Sequence, residues 1–459
     1  MGVRSAALFA LVAVLVAVQA VHVTVYRNGE STGGVAVDVV PEVATSGLAL
    51  AQHLSSFVPV DGMYDSEDSS VTASVADRVF NGRGQLIESY DGIEENERLY
   101  LVAPGLHFVW PFVELGHKVS VQSTQSPTEK PIVLESFNES PRVFLIHDFF
   151  TNEEADGLVK RILEIDNEHS KLQRSYVGHE NGAKKTSTVR TSDNAFDSES
   201  EIAVSLNKRA FDLLSVGEYK DDMADGLQLL RYQQKQAYIP HTDYFDVNTS
   251  PDWNWNPKAG GSNRFATVFL YLSNVTRGGQ TVFPLANMPE GVVHAQVPDA
   301  DELSIFEKGS WEAKMAMQCH TKLASYPRKT HAVLFYSQKG NGELDPMSEH
   351  GGCPVLDGTK WAANLWVWNR RRYGLDSEKI SVTFYNHLDH PVELFWSSTK
   401  MQDIPAHDQA FFESYHNHEW TIKDDQGNAL LTHRLSKDDG TTQAITVPVA
   451  AAEPTKDEL

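Results

Sequence analysis

The stretch from Leu227 to Asn369 most strongly constrains the fold of this chain, because short apolar runs alternate there with long polar loops. The runs FATVFLYLSNV, HAVLFYS and WAANLWVWN are rich in β-branched and aromatic residues, which is typical of strands. The loop 247–263 precedes the first of these runs, and the loop 287–330 lies between the first and the second. Loops of this length in a compact domain usually carry function. The stretch therefore predicts a β-rich domain with functional loops.

The length of 459 residues is too great for one ordinary hydrophobic core and predicts several domains. Short alternating runs broken by Asn-Gly and Asp-Gly turns near the N-terminus favour a small mixed domain of the ubiquitin-like β-grasp kind. A polar run, VQSTQSPTEKP, is typical of a linker, and a break at Tyr373-Gly374 begins a new β-rich segment. We expect an α+β multidomain chain divided into a signal peptide (1–20), a small N-terminal domain (21–120), a linker (121–131), a central domain with flanking helices (132–373), a β-sandwich (376–448) and a flexible tail (449–459).

The charge balance limits the partners of the chain. It carries 39 Lys and Arg against 62 Asp and Glu, a formal net charge of −23. A strongly acidic protein is repelled by phosphate backbones and anionic lipid surfaces. We therefore expect no nucleic-acid partner.

The N-terminus reads MGVRSAALFALVAVLVAVQA, with one Arg before an apolar run and a small-x-small cleavage pattern at its end. This pattern predicts a secretory signal peptide. Apolar character continues to Val25, so an uncleaved signal anchor is the alternative, and only in that case would the chain contact a membrane.

The C-terminus is Lys-Asp-Glu-Leu, the retrieval signal of the endoplasmic reticulum. Together with an export signal it predicts a protein of the endoplasmic-reticulum lumen that binds the KDEL receptor. Three Asn-x-Ser/Thr sequons, at Asn138, Asn248 and Asn274, are compatible with a glycoprotein of that compartment.

The segment YIPHTDYF places His241 and Asp243 two residues apart, so that on a strand both side chains point to the same face. Such a pair suits two ligands of a 2-His-1-carboxylate iron site, for which His350 in SEHGGCPVLDGTKW is the candidate third ligand. Lys360 lies ten residues further on and could pair with a dicarboxylate. The pair alone is also compatible with a polar surface patch.

Longer motifs around these residues resemble the prolyl 4-hydroxylase family of 2-oxoglutarate- and Fe(II)-dependent dioxygenases. They are SPRVFLIHDFFTNEEAD, LQLLRYQQKQAYIPHTDYF, NRFATVFLYLSNVTRGGQTVFP, RKTHAVLFYS and HGGCPVLDGTKWAANLWVW, within residues 131–372. The resemblance implies a double-stranded β-helix, or jelly-roll, core. It also implies that His241, Asp243 and His350 are the iron ligands.

The same resemblance implies roles around the metal. Lys360 matches the lysine that binds the C5 carboxylate of 2-oxoglutarate, and Tyr232 and Thr281 match residues beside that cosubstrate. Arg264 and Trp366 match residues near the peptide substrate.

Two further features of the family pattern concern the peptide side. Asp225 stands where the family often has Glu, so a substrate-side acid is kept but shortened. The segment VRTSD at 189–193 resembles the start of a mobile lid.

The implied activity is hydroxylation of peptidyl proline to 4-hydroxyproline, with Fe(II), O₂ and 2-oxoglutarate consumed to succinate and CO₂, and with ascorbate as a supporting reductant. Proline-containing peptides or proteins would be the substrates. A lysyl hydroxylase shares the chemistry and is one alternative. A non-catalytic hydroxyproline-binding protein is the other.

The segment VTFYNHLDHPVELFW and the following FESYHNHEWTIKDDQGNALLTHRL resemble the β-domain of the von Hippel–Lindau tumour-suppressor protein over about residues 380–435. Trp396, Ser414, His418 and Trp420 match residues around its hydroxyproline pocket. The chain between Trp396 and Ser414 is shorter than in that protein, and the pocket tyrosine has no counterpart. A β-sandwich in which these side chains serve packing alone is the alternative interpretation.

The only two cysteines, Cys319 and Cys353, exclude a four-cysteine zinc site. In an oxidising lumen they could form one disulfide. Two free buried thiols are the other possibility.

Overall fold

The computed structural model describes residues 20–64, 71–128, 130–165, 171–174, 176–180, 183–186, 190–249, 253–293, 295–373, 379–396, 399–415, 418–436 and 439–447. The predicted signal peptide and the tail with the retrieval signal lie outside this range, apart from residue 20. No helix in the part of the chain that is described has the length and apolar character to cross a membrane.

The N-terminal domain is built on a four-stranded mixed sheet with one helix. Its elements are β1 (Val21–Arg27), β2 (Val35–Val39), α1 (Gly47–Ser55), β3 (Val60–Tyr64), β4 (Val71–Ser74), β5 (Arg78–Asn81) and β6 (Glu97–Val102). The sheet order is β2-β1-β6-β5, in which β1 and β6 run parallel. Helix α1 is capped by Ser46, whose hydroxyl accepts the Ala49 amide, and it buries Leu50 and Leu54.

In the described residues the central domain contains two larger sheets, two two-stranded sheets and two longer flanking helices. Its elements are β7 (Lys118–Val121), β8 (Ile132–Asn138), β9 (Val143–His147), α2 (Asn152–Glu164), β10 (Gln173–Arg174), β11 (Tyr176–Glu180), β12 (Ala183–Thr186), β13 (Asp193–Asp197), α3 (Glu201–Leu214), β14 (Leu227–Tyr232), β15 (Tyr238–His241), β16 (Arg264–Tyr271), β17 (Arg277–Gly278), β18 (Thr281–Phe283), α4 (Ala300–Leu303), α5 (Trp311–Gln318), β19 (Leu323–Ser325), β20 (Ala332–Tyr336), β21 (His350–Gly352), β22 (Val355–Asp357) and β23 (Lys360–Trp368). Helix α2 begins with a capping box between Thr151 and Glu154.

Eight of these strands form the barrel that holds the site. The larger sheet contains the order β14-β23-β16-β20, and the smaller sheet has the order β15-β21-β18-β19. Numbered along the chain, the eight strands give 1-8-3-6 facing 2-7-4-5, which is a jelly roll as the sequence predicted. The larger sheet is extended by β13 and β10 on one side and by β9, β8 and β7 on the other.

Strand β7 changes one predicted boundary. The sequence placed residues 118–120 at the end of the N-terminal domain and residue 121 in the linker. In the structure β7 pairs with β8 in the sheet of the central domain, with Val121 opposite Ile132. Both of these side chains are buried, which explains why the pairing extends beyond the predicted start of the domain at 132.

The C-terminal region has two facing sheets that share one apolar core. Its strands are β24 (Ile380–Tyr385), β25 (Val392–Trp396), β26 (Thr399–Ile404), β27 (Gln409–Ser414), β28 (Glu419–Lys423), β29 (Ala429–Arg434) and β30 (Thr442–Thr446). The sheet orders are β27-β24-β30 and β26-β25-β28-β29. Phe384 from the first sheet packs against Trp420 from the second, with ring centroids 4.9 Å apart.

Candidate active site

Strand pairing brings the two candidate histidine ligands together. Strands β15 and β21 are antiparallel neighbours in the smaller sheet, and their register sets His241 directly opposite His350. Asp243 follows just beyond the end of β15. Ligand atoms of the three residues lie within 4.8 Å of one another, and no other described group of His, Cys, Asp and Glu forms such a cluster.

Backbone carbonyls orient both imidazole rings. Nδ1 of His241 lies 3.0 Å from the carbonyl oxygen of Ile239, and Nδ1 of His350 lies 3.0 Å from that of Ser348. A carbonyl can only accept, so each Nδ1 carries the proton and each Nε2 keeps its lone pair. The two Nε2 atoms lie 3.7 and 3.6 Å from the Asp243 carboxylate.

The Asp243 carboxylate is held by a neighbouring strand. Its Oδ2 accepts a 2.7 Å hydrogen bond from the Thr267 hydroxyl on β16, and its backbone carbonyl accepts one from Arg264 at 3.2 Å. Burial alone would raise the pKa of Asp243, but His350, His241, Arg264 and the Thr267 hydroxyl lower it overall. The carboxylate is therefore ionised.

The electrostatics of the histidines also suit a metal. Burial, and secondly the nearby His350, lower the pKa of His241 well below its usual range. The site thus offers one neutral imidazole from His241, a second Nε2 from His350 and one carboxylate oxygen. This donor set is the facial triad of non-haem Fe(II) oxygenases, so these residues fit the ion.

Lys360, the first residue of β23, lies in a cage of aromatic rings. Its side chain is 1% exposed, and its Nζ is 5.2, 4.8 and 5.4 Å from the ring centroids of Tyr232, Phe269 and Tyr271. Within the described residues no carboxylate pairs with it, and burial lowers the pKa of Lys360 to about 7. A buried cation without an anion favours an anionic ligand.

The two predicted cosubstrate neighbours join this cage. Tyr232 stands opposite Lys360 in the register of β14 and β23. Thr281 accepts a 2.9 Å hydrogen bond from the Tyr271 hydroxyl, which also contacts Ser325. Tyr232 and Thr281 are both nearly fully buried; the first contacts Lys360 directly, and the second is linked to the cage through Tyr271.

The predicted substrate residues form a second cluster. The Arg264 guanidinium lies 3.7 Å from the ring centroid of Trp366. Asp225 accepts hydrogen bonds from Arg264, Trp368 and Arg372, each at 3.0 Å. In the structure Asp225 therefore positions Arg264, while its predicted contact with substrate stays a prediction.

The tryptophans of the long loop pack on other aromatic rings of the chain. Trp255 stacks on Phe245 with centroids 4.5 Å apart, and Trp253 stacks on Trp255 at 6.0 Å. Tyr373 packs edge-on against both indoles.

Sequence reasoning missed two residues that support His241. The Tyr238 ring stacks on His241 with centroids 3.8 Å apart, and the Arg190 guanidinium lies 4.7 Å from the Tyr238 ring centroid. The signal for Arg190 was its place in VRTSD, whose first residue lies outside the described residues. Tyr238 stood in the quoted motif, where an aromatic residue on a strand indicates only packing.

Cys319 and Cys353 form a disulfide, which decides the alternative left open by the sequence. Cys319 caps the C-terminus of α5, and Cys353 directly follows β21. The bond therefore fastens the long insertion to the strand that begins with His350.

The four predicted residues of the C-terminal region also lie together. Trp420 Nε1 donates to the Ser414 hydroxyl at 3.0 Å, and Ser414 Oγ lies 3.1 Å from His418 Nδ1. The Trp396 ring is 4.9 Å from that of His418 and is 39% exposed. The cluster therefore combines the buried, hydrogen-bonded Ser414 and Trp420 with the exposed ring of Trp396.

Comparison with known proteins identifies the family of the central domain. A profile of the 2OG-Fe(II) oxygenase superfamily matches residues 227–368. "Probable prolyl 4-hydroxylase 8" of Arabidopsis thaliana is 37% identical over 236 residues, covering 51% of this chain and 70% of the relative. "Prolyl 4-hydroxylase 5" of the same plant is 36% identical over 235 residues, with 51% and 70% covered. The crystal structure of a viral collagen prolyl hydroxylase from Paramecium Bursaria Chlorella virus-1 has 19% identity and a TM-score of 0.32, covering 49% of this chain and 95% of the viral one.

The jelly roll and its His-Asp-His cluster define an enzyme of the 2OG-Fe(II) oxygenase class. Within that class, the chain belongs to the prolyl 4-hydroxylase family.

Proposed function

We propose that the enzyme converts peptidyl proline to 4-hydroxyproline with O₂ and 2-oxoglutarate, releasing succinate and CO₂. The observation that carries this proposal is that one domain contains both a complete metal-ligand cluster and a buried Lys360 that pairs with no described carboxylate. A dicarboxylate that reaches both would be held at its two ends.

The residues of this chain would position the metal and the cosubstrate and exclude water from the site. His241, Asp243 and His350 would hold Fe(II), which supplies the activation of O₂ when bound. The carbonyls of Ile239 and Ser348 keep the two histidines in the ligating tautomer. Lys360 would bind the C5 carboxylate of 2-oxoglutarate, with Tyr232 and Thr281 excluding water.

The peptide side follows from the Arg264 cluster. Its guanidinium is fixed against Trp366 and by Asp225, so the remaining guanidinium surface has a defined direction. We propose that Arg264 and Trp366 contact the peptide that carries the target proline. Asp225 would act through Arg264.

Succinate release with purified protein, Fe(II), 2-oxoglutarate, ascorbate and a panel of proline-rich peptides tests the proposal. We expect peptide-stimulated release, mass spectrometry that places the added oxygen on proline, and a loss of activity in His350→Ala. His331→Ala, a half-buried histidine away from the cluster, is the matched control. Oxygen on lysine would favour the lysyl hydroxylase instead, and turnover by His350→Ala would refute the assigned site.

We also propose residence in the endoplasmic-reticulum lumen, supported by the export-signal pattern, the terminal Lys-Asp-Glu-Leu and the three sequons. Deletion of the last four residues should lead to secretion. An unchanged distribution after that deletion would contradict binding to the KDEL receptor.

For the N-terminal domain, we propose a β-grasp fold, which the mixed sheet order and the single described α-helix support.

A second candidate function is recognition of hydroxyproline by the C-terminal sandwich. The Ser414–His418 pair could bond to a hydroxyl group while the exposed Trp396 ring covers the pyrrolidine ring. Calorimetry on the full chain with hydroxylated and unhydroxylated peptides, repeated in His418→Ala, tests this function. Equal affinities for both peptides would exclude it, and His407→Ala, an exposed histidine of the same region, is the control.

A further inference from the structure

A cavity of about 360 Å³ lies between the N-terminal domain and the jelly roll, away from the metal cluster. One wall is apolar and comes from the N-terminal side of the chain, with Val60, Leu101, Leu106 and Val109. The opposite wall comes from the central domain and is formed by Glu139, Ser140, Arg142, Tyr336, residues 338–341 and Asp345. Ligand sites are common at domain junctions, and this volume lies in their usual range.

The junction around the cavity is tightly bonded. The buried Asn28 donates to the carbonyl oxygens of His107 and Gly340 at 2.7 and 2.9 Å and accepts the Val109 amide at 2.9 Å. Gly340 approaches the Asn28 backbone so closely that a side chain at this position would meet the Asn28 carbonyl. The cavity is therefore preformed, which lowers the entropic cost of binding.

Charges of both signs line the cavity in nearly equal number. They are the acids Glu30, Asp61, Glu139 and Asp345 and the bases Arg27, Arg142 and Lys339. A ligand with a large net charge of either sign would meet repulsion from half of this set. A small ligand that carries one charge of each sign fits the balance.

Two of these groups have unused bonding capacity. Arg142 Nη1 donates to the carbonyls of Gly29 and Trp110, and Nε donates to Glu139, but Nη2 has no acceptor among the described residues. Asp345 is 7% exposed and uses Oδ1 to accept the Met347 amide. Neither group forms an ion pair with a described residue.

Burial disfavours the charge on both groups. It lowers the pKa of Arg142 and raises the pKa of Asp345, and the neighbouring opposite charges only partly offset these shifts. Each group would gain from an opposite charge brought by a ligand.

We propose that this cavity binds a small zwitterion, a free amino acid or dipeptide, with its carboxylate on Arg142, its ammonium group on Asp345 and its apolar side chain against the Val60–Leu106 wall. The site is independent of the proposed hydroxylation chemistry.

The site connects to the metal cluster through a single turn. The backbone carbonyl of Asp345 accepts both the amide and the hydroxyl of Ser348, at 3.0 and 2.7 Å. The carbonyl of Ser348 in turn orients His350. An occupant held by Asp345 therefore contacts the turn that positions one metal ligand.

Calorimetry on the metal-free full chain tests the proposal with leucine and glycylleucine. Their N-acetyl forms lack the ammonium group, and their amides lack the carboxylate. We expect the free forms to bind at least ten times more tightly than either blocked form. Absence of binding, or equal binding of free and blocked forms, would overturn the proposal.

Variants locate the site. Asp345→Asn keeps the acceptor for the Met347 amide. It should lower the affinity for free leucine and glycylleucine at least tenfold and leave the affinity for their N-acetyl forms unchanged. Glu343→Gln makes the same change on a neighbouring residue outside the cavity and should have no effect. If Asp345→Asn fails to fold, Ala103→Leu fills the cavity instead and should abolish binding. Full binding by a folded Ala103→Leu variant would refute this location.

Discussion

Thr267 and Asp243 come from different segments of the chain, yet the Thr267 hydroxyl donates a 2.7 Å hydrogen bond to the carboxylate that lies between both histidines. Thr267 is fully buried on β16, in the larger sheet, whereas Asp243 follows β15 of the smaller sheet. This hydrogen bond therefore connects the ligand cluster to the larger sheet of the barrel.

Thr267→Val should weaken metal binding, because Asp243 loses the donor that fixes its orientation. Loss of such a supporting contact lowers metal affinity by roughly 10- to 100-fold. Titration of the protein with Fe(II) under anaerobic conditions measures the change. Thr432→Val, which removes a hydroxyl that pairs with Thr421 on the sandwich surface, should leave the affinity unaltered. Equal Fe(II) affinities in Thr267→Val and the parent would show that this hydrogen bond does not support the metal-ligand cluster.

Lys360→Met should weaken 2-oxoglutarate binding by roughly 100-fold, since a desolvated carboxylate would lose its only charged partner. Fluorescence or calorimetric titration with 2-oxoglutarate measures the loss. Lys308→Met, which changes an exposed lysine, is the control. An unchanged affinity would show that another cation binds the C5 carboxylate.

Lys360→Met should also stabilise the ligand-free protein against unfolding near pH 7. The pKa of Lys360 is about 7 in the folded state, against about 10.4 in an unfolded chain. Between these values the unfolded chain binds more protons, so the parent gains stability as the pH rises. In urea unfolding at pH 7, the free energy of unfolding of Lys360→Met should exceed that of the parent by a few kcal/mol, at about 1.4 kcal/mol for each pKa unit. This difference should narrow towards pH 10. A gap independent of pH would mean that Lys360 is not desolvated.

Arg264→Lys should raise the KM for peptide about tenfold, because an ammonium group cannot stack on Trp366 and bond to Asp225 at the same time. The KM for 2-oxoglutarate should not change. Arg231→Lys is a close control, since Arg231 also pairs with an acid, Asp193, and lies near a tryptophan, Trp361. A similar rise in both variants would point to general destabilisation.

Replacing both cysteines by serine should lower the free energy of unfolding by about 2–4 kcal/mol, because the disulfide closes a loop with a sequence separation of 34 residues. Metal affinity should fall as well, since the bond holds α5 near β21, where Met315 already packs close to Gly351. Urea unfolding and Fe(II) titration measure the two effects. A stability loss with full metal affinity would show that β21 keeps its position without the bond.

The sequence predicted the parts of the site that depend on short spacing. His241 and Asp243 were visible because a strand sends alternate residues to one face, and His350 and Lys360 followed from motif context. Thr267 was not predictable, because its role depends on how two sheets face each other. The substrate contact predicted for Asp225 stays a prediction, and the hydrogen bonds that its oxygens accept from Arg264, Trp368 and Arg372 could not be predicted from spacing.

The fold, like the site, was predictable where it depends on local sequence and not where it depends on distant partners. Apolar alternation predicted the strands of the jelly roll, and a capping box marked the start of α2. The boundary near residue 120 was misplaced, because the pairing of β7 with β8 depends on a partner across a polar connection rather than on local composition.

Asp225 gives the enzyme a mechanical connection. The same carboxylate holds Arg264, on the wall of the site, and Arg372, just after the end of β23. The chain leaves the central domain towards the sandwich only a few residues beyond Arg372. A displacement of Arg372 would therefore be transmitted through the Asp225 carboxylate to Arg264, the residue that we propose to contact the peptide.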